Sequence, residues 1–286
     1  MTRQPTWIRW LGASLALTSG AFIVFQVYTL RDDILPLMRD APLLTTMVIG
    51  SVVFAATLNL LGFGWAKLIA STEAASHTRL ALMSVFAKTS VAKYLPGNVM
   101  HYAGRQFLAG KLGPKQKQIA KATVAEASAT VVAAAVVGGV AYLLADLTAL
   151  AIVIAVLAIG VIGYFREKPG VCMMGLALLF FVFNGATVWA LGYVLEQSWQ
   201  TNAGLCFSYL LAWAGGILVL GAPGGIGVRE SLFFGIGMGL GLSSSPIITT
   251  MAVCLRMISL AGDFLFYFFG NYWQQRVDRA ETATHT

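Results

Sequence analysis

Two arginines in this chain follow segments in which a helix cannot continue, and both are candidates for binding an anion. Arg105 comes nine residues after Pro96, and Arg229 comes six residues after Pro223; glycine follows each proline. Proline removes a backbone donor and disfavours a helical residue before it, while glycine permits a sharp turn. A helix that starts after such a break has free amide hydrogens and a positive dipole end. Those amides and a nearby guanidinium are suited to a phosphate or another anion.

Other groups around the two breaks extend the predicted anion-binding site. Asn98 is a good cap for the helix after the first break. Glu230 can pair with Arg229 or with Arg256, and the sequence leaves both pairings open. For Arg105 and Arg229 the alternative role is snorkelling to the cytoplasmic interface. The predicted site comprises Lys93, Tyr94, Pro96, Gly97, Asn98, His101, Arg105, Pro223, Gly224, Gly225, Gly227, Arg229 and Glu230.

A second set of charges falls inside apolar segments and predicts an intramembrane charge network. Arg256 and Asp263 are seven residues apart, so on a helix they share a face. Intramembrane charges usually serve function, but a structural lock through mutual or neighbouring pairing is an equal alternative here. Glu126 is expected about one turn inside a span, where a cap or interfacial role is the alternative. No spacing of cysteines or histidines indicates a metal site.

Composition defines the class of protein. The chain has 286 residues, of which 58% are hydrophobic and 11% are charged. Soluble domains carry about a quarter charged residues, so a water-soluble globular domain is excluded. Disorder is excluded as well, because it requires low hydrophobicity and high charge.

The apolar segments predict an all-α polytopic membrane protein that forms a single transmembrane domain over 1–286. Uncharged runs of about 20 residues indicate membrane helices. A broken element near 79–113 is amphipathic and reads as re-entrant or interfacial, and a second break lies near 221–230. A division into two halves, 1–168 and 169–286, is compatible with this pattern. The eight predicted spans are 10–30, 41–66, 127–145, 147–165, 169–195, 198–220, 228–242 and 246–273, and the seventh is short enough to be a half-helix.

The distribution of positive charge predicts the orientation. Nine of the 19 lysines and arginines fall between residues 67 and 121, where only Glu73 opposes them. Cytoplasmic loops are enriched in Lys and Arg, which places this stretch inside. Eight spans then put both termini in the cytoplasm, and the expected location is the cytoplasmic (inner) membrane.

The residues at the two breaks resemble a known family. The motifs are residues 93–99 with Gly104-Arg105, residues 223–230, and Arg256 in the last helix. They are similar to the transmembrane region of lysylphosphatidylglycerol synthases of the multiple peptide resistance factor type and their stand-alone relatives. The resemblance implies movement of anionic or modified lipids between leaflets, or a role in a glycan-lipid pathway, without the aminoacyl-transferase domain. Members often have an acidic–basic pair on the third span; here Ala127 and Ser128 follow Glu126, so the resemblance does not support a charge relay through Glu126.

The leading hypothesis is a lipid translocase or lipid-binding transporter for an anionic phospholipid or a polyprenyl-phosphate-linked lipid. The alternative is a non-transporting partner that binds anionic lipid and scaffolds a synthase or glycosyltransferase. No catalytic or nucleotide-binding motif is found, so we expect no enzyme activity and no cofactor. Transport is then expected to be passive or ion-coupled. A third alternative is a membrane enzyme that acts on a lipid phosphate. Anionic lipid is the abundant polyanion at a membrane, so nucleic acid is not an expected partner. Small-residue helix faces are compatible with a homodimer.

Overall fold

The computed structural model describes residues 28, 31–37, 39–70, 79–94, 100–144, 155, 158–159, 162, 168–219 and 222–284. In this part of the chain every regular element is helical, and no strand occurs. The helices are α1 Arg31–Leu37, α2 Ala41–Ala70, α3 Arg79–Ser90, α4 Met100–Gly110, α5 Gln116–Leu144, α6 Pro169–Val194, α7 Trp199–Leu218, α8 Val228–Gly239 and α9 Ser245–Thr284, with short 3₁₀ turns at Val91–Tyr94 and Pro223–Gly225.

Five of the described helices, α2, α5, α6, α7 and α9, are long and apolar enough to cross a membrane. They correspond to the predicted spans that begin at residues 41, 127, 169, 198 and 246. The described chain therefore has the helices of an all-α, multi-pass membrane protein. Predicted span 10–30 lies outside the described residues apart from Tyr28, and span 147–165 lies largely outside them.

Two predicted boundaries differ from the structure. Helix α5 begins at Gln116, eleven residues before the predicted start at 127. The prediction excluded charged residues, but Lys117 and Lys121 are exposed on the first turns of this helix. Helix α8 has 12 residues, a rise of about 18 Å against a hydrocarbon core of about 30 Å. The structure therefore has no full-length helix at the predicted seventh span, 228–242.

The long helices pack around a shared aromatic core. Helix α2 contacts α6 on one side and α9 on another, α5 packs on α7 and α6, and α3 lies along α9. Trp65, Phe180 and Phe266 are fully buried between them. The ring centroids of Phe86 and Phe266 are 6.2 Å apart, which joins α3 to α9. This packing holds the short helix α3, which leads into the first break, against the last membrane helix.

Gly270 permits the close contact of α9 with α3, and we expect its replacement by alanine to weaken the fold. A Cβ at Gly270 would lie 2.6 Å from the Ala87 Cβ and 3.2 Å from the backbone nitrogen of Lys88. Overpacking of this kind costs about 1–3 kcal/mol. The free energy of unfolding in mixed detergent micelles would measure it. Gly139→Ala on α5 is the control, since its Cβ meets nothing within 4 Å; equal losses in the two variants would contradict this account.

Candidate functional site

The two 3₁₀ turns, far apart in sequence, contact each other in the structure. Helix α3 ends at Ser90 and the first turn runs to Tyr94; helix α4 starts at Met100. The predicted site residues Pro96, Gly97 and Asn98 lie between them, outside the described residues. The second turn, Pro223–Gly225, separates α7 from α8. The fold therefore brings the turn that precedes the first Pro-Gly segment into contact with the turn that contains the second.

Gly224 is the point of contact between the turns. Its φ is 57°, in the left-handed region that favours glycine, and Gly225 and Gly227 also have positive φ. A Cβ at Gly224 would lie 2.8 Å from two ring atoms of Tyr94. The Gly224 carbonyl accepts a hydrogen bond from Arg256 Nη1 at 3.2 Å. Glycine is thus required here for the backbone conformation and for the close approach of Tyr94.

A cavity of about 70 Å³ lies beside these turns. It is several times larger than the roughly 10–15 Å³ that one water molecule occupies by the same measure. Its walls include Leu58 from α2, Phe86 from α3 and Trp213 from α7. The cavity therefore sits inside the helix bundle. Its charged or ionisable lining residues are Lys93, His101, Tyr102, Arg105, Glu126, Arg229 and Asp263.

The first turn is tied to α9 by a buried ion pair. Lys93 Nζ donates to Asp263 Oδ1 at 2.7 Å and lies 2.7 Å from Oδ2. The Tyr94 hydroxyl donates to Oδ2 at 2.5 Å. Asp263 is 0% exposed. Of the predicted alternatives for Asp263, pairing with a neighbouring cation is the arrangement found, and that cation is Lys93 rather than Arg256.

A second buried ion pair joins α4 to α5. Arg105 Nη1 donates to Glu126 Oε2 at 3.0 Å. The guanidinium carbon of Arg105 lies 3.6 Å from the centroid of the Phe86 ring, and the residue is 5% exposed. Arg105 therefore does not snorkel to water, and Glu126 is not a helix cap, because α5 begins ten residues earlier at Gln116. Glu126 has its basic partner on α4, not on its own helix.

Glu230 forms the third ion pair of the site, and its partner was left open by the sequence between Arg229 and Arg256. Arg256 Nη1 lies 3.5 Å from Glu230 Oε1, so Arg256 is the ion-pair partner of Glu230. Since Arg256 also bonds the Gly224 carbonyl, it links α8, α9 and the second turn.

Arg229 differs from the other cations at the cavity. Among the described residues it has no carboxylate within ion-pair distance, and its Nε is buried without a hydrogen-bond partner. Its guanidinium carbon lies 4.7 Å from the centroid of the Trp213 ring. Its side chain packs on Gly216 and Gly225, where a Cβ would overlap it. The fold thus supports the stem of Arg229 and leaves its charge without a counter-ion in the described chain.

The described lining of the cavity carries one formal positive charge. Its cations are Lys93, Arg105 and Arg229, and its carboxylates are Glu126 and Asp263. His101 adds no charge near neutral pH, because burial, and then the charge of Arg105, lowers the pKa of His101 to about 2. A site of this kind suits an anion. Within the described part of the chain, no cluster of three or more His, Cys, Asp or Glu side chains could hold a metal ion.

Two aromatic residues of the site, Phe86 and Trp213, were not predicted from the sequence. Phe86 lies under Arg105 and Trp213 under Arg229. Neither residue is near its arginine in sequence, and both lie on apolar helices where an aromatic side chain is unremarkable. Only the packing of α3 and α7 against the two turns gives them this role.

Comparison of the chain with protein-family models, curated proteins and solved structures gave no match. The resemblance of the two Pro-Gly segments to the membrane region of lysylphosphatidylglycerol synthases therefore stays a prediction.

Proposed function

We propose that this protein is an integral membrane translocase or lipid-binding transporter for a lipid with an anionic, phosphate-containing head group. The observation that carries the proposal is Arg229, a cation on the cavity wall without an ion-pair partner in the described chain. A guanidinium binds a phosphate through two parallel hydrogen bonds. The start of α8, at Val228, adds free amides and a favourable dipole beside it.

The other charges at the site support the same role. Lys93 and Arg105 are fixed by their carboxylates, so they are held in place when the cavity is unoccupied by a head group. Buried pairs of this kind add little net stability, but they join the two sides of the first break, the 3₁₀ turn and α4, to the membrane helices α9 and α5. They position two further donors toward an entering phosphate.

The depth of the cavity favours transport over simple lipid binding. Leu61, on its wall, lies nine residues before the end of α2 at Ala70, which corresponds to about 14 Å along the helix. A phosphate bound there would lie between the helices of the bundle, away from the end of α2. A partner protein that only anchors to anionic lipid needs no such internal site.

The proposed topology has eight membrane segments, of which the seventh, α8, is a half-helix, together with a re-entrant element at 79–113 and both termini in the cytoplasm. The positive residues between 67 and 121 support a cytoplasmic position for the loops around the cavity. Lipid would enter from the cytoplasmic leaflet of the inner membrane, with its tail in the bilayer and its head group at Arg229. The two Pro-Gly motifs support a relationship to the membrane half of lysylphosphatidylglycerol synthases.

The experiment is lipid transport in proteoliposomes with fluorescent phosphatidylglycerol. We expect Arg229→Gln to slow the initial rate by roughly tenfold to a hundredfold, since a hydrogen bond to a charged group contributes about 1.5–3 kcal/mol. Arg79→Gln is the matched control, because Arg79 is exposed at the start of α3, and it should transport like the wild type.

Two results would overturn the proposal. One is transport by Arg229→Gln at the wild-type rate. The other is a folded wild-type protein that moves no lipid while Arg229→Gln reduces only the capture of a synthase or glycosyltransferase, which would establish the scaffolding role.

A further inference from the structure

We propose that the cavity selects a phosphate with a single negative charge, a phosphodiester, over a doubly charged phosphomonoester. The inference rests on the proposed function, because it assumes that an anionic head group enters this cavity. It narrows the substrate class from any phosphate-containing lipid to phosphodiester lipids.

The argument begins with the balance of charge around Arg229. Lys93 is paired with Asp263 at 2.7 Å, and Arg105 is paired with Glu126 at 3.0 Å. The adjoining space of about 20 Å³ is lined by Arg229 together with Arg256 and Glu230, and the last two also form a pair. Taken together, the described walls of both spaces keep a single unmatched positive charge, that of Arg229.

The small size and the aromatic wall of the cavity make an unbalanced charge inside it costly. The cavity has room for few atoms beyond a phosphate group, and Phe86 and Trp213 form part of its wall. An uncompensated charge in such a place is costly, because neither water nor mobile ions can solvate it well. A singly charged phosphate neutralises Arg229. A doubly charged phosphate leaves one negative charge without a partner.

Unsatisfied donors around the cavity supply an independent sign of a ligand. Arg105 Nε and Arg256 Nη2 are buried without a hydrogen-bond partner in the described chain, as is Arg229 Nε. Such groups are rare in folded proteins and call for an acceptor. Arg105 is itself more than nine-tenths buried. Phosphate oxygens accept hydrogen bonds, so they are suitable partners for these guanidinium N–H groups.

Any pH dependence that the protein groups near Arg229 create is measured with phosphatidylglycerol, whose own charge does not change over the tested range. The groups whose charges act on Arg229 are Tyr209 from α7, Tyr94 from the first turn, Arg256 from α9 and Glu230 from α8. Lys93, Glu126 and Asp263 share the cavity wall with it. His101 is neutral throughout, since its pKa is lowered to about 2. A phosphomonoester, by contrast, loses its second proton near pH 6.

The test compares two short-chain lipids on the full chain in non-ionic detergent micelles. Dihexanoyl phosphatidylglycerol keeps one negative charge from pH 5.5 to 8, while dihexanoyl phosphatidic acid gains a second. Dissociation constants follow from the rise of the thermal unfolding midpoint with lipid concentration. We expect equal binding within about threefold at pH 5.5, and binding of phosphatidic acid weaker by about tenfold or more at pH 8.

A variant that changes the formal charge of the cavity provides a second test. Glu126→Gln keeps the shape of the side chain and adds one formal positive charge to the cavity. We expect it to prefer phosphatidic acid at pH 8, the reverse of the wild type, which a purely structural role of Glu126 would not produce. The wild-type pH series decides the question even if this variant does not fold.

The outcomes separate the two proposals. If phosphatidic acid binds as tightly as phosphatidylglycerol at pH 8, the phosphodiester inference is overturned and the proposed function stands. If neither lipid stabilises the protein, and Arg229→Gln transports normally, the proposed function fails. Dimethyl phosphate, a phosphodiester without acyl chains, shows whether the ligand must be a lipid. If it binds as tightly as the lipid, the selection of a phosphodiester is supported, but the ligand need not be a lipid.

Discussion

Replacing Asp263 with alanine is expected to lower the free energy of unfolding by about 3–5 kcal/mol, the cost of removing one partner from a buried ion pair. The substitution leaves Lys93, which lies 2.7 Å from this carboxylate, without its counter-charge. It also removes the acceptor of the Tyr94 hydroxyl. Because both partners lie on the first turn, the loss should spread to the contact of that turn with Gly224, and lipid transport should fall with it.

Unfolding by a denaturing detergent in mixed micelles, followed by circular dichroism, measures this loss. Asp32→Ala is the matched control: Asp32 lies 3.5 Å from Arg31, its side chain is 89% exposed, and an exposed pair contributes at most about 1 kcal/mol. The double variant Lys93→Met with Asp263→Leu should recover part of the stability, since it leaves no unpaired charge. If the loss in free energy of unfolding of the double variant equals the sum of the losses of the two single variants, Lys93 and Asp263 are not coupled as described.

Replacing Gly224 with alanine should nearly abolish transport and cost about 2–3 kcal/mol of stability, from left-handed backbone strain and from overpacking. Its φ is 57°, and the new Cβ would lie 2.8 Å from the Tyr94 ring. Relief of that overlap requires the two turns to separate. Separation would move the Gly224 carbonyl away from Arg256 and Arg229 away from its place in the cavity.

The comparison for Gly224→Ala is Gly235→Ala, on the exposed side of α8. A Cβ there meets nothing within 4 Å, and alanine favours a helix by up to about 1 kcal/mol over glycine. Gly235→Ala should therefore transport normally and be as stable as the wild type or more so. Initial transport rates and unfolding curves for the pair of variants check the prediction, and normal transport by Gly224→Ala would refute it.

The membrane helices follow from local sequence. A run of about 20 apolar residues is stable in a bilayer almost regardless of its neighbours, so α2, α6 and α7 begin within one residue of their predicted starts. The start of α5 was missed because the prediction treated charged residues as the end of a span. Lys117 and Lys121 instead continue the helix beyond its apolar part, where their side chains reach the surface.

The partners of the charges at the site did not follow from local sequence. Arg256 and Asp263 share a helix face, yet each pairs with a residue from another element, Glu230 and Lys93 respectively. Glu126 lacks a basic neighbour on its own helix and obtains Arg105 from α4. Helical spacing shows which residues face the same way, but not which element packs against that face.

The sequence by itself determined that this is a helical membrane protein, and it predicted two helix breaks that are each followed by an arginine. These properties depend on apolar runs, proline and glycine, whose effects act within a few residues. Only the tertiary structure decided that the two 3₁₀ turns meet at Gly224, that three of the site's cations are paired, and that Arg229 has no ion-pair partner in the described chain. The physical reason is that buried charge must be balanced across helices, and that balance depends on contacts between residues as many as 170 positions apart.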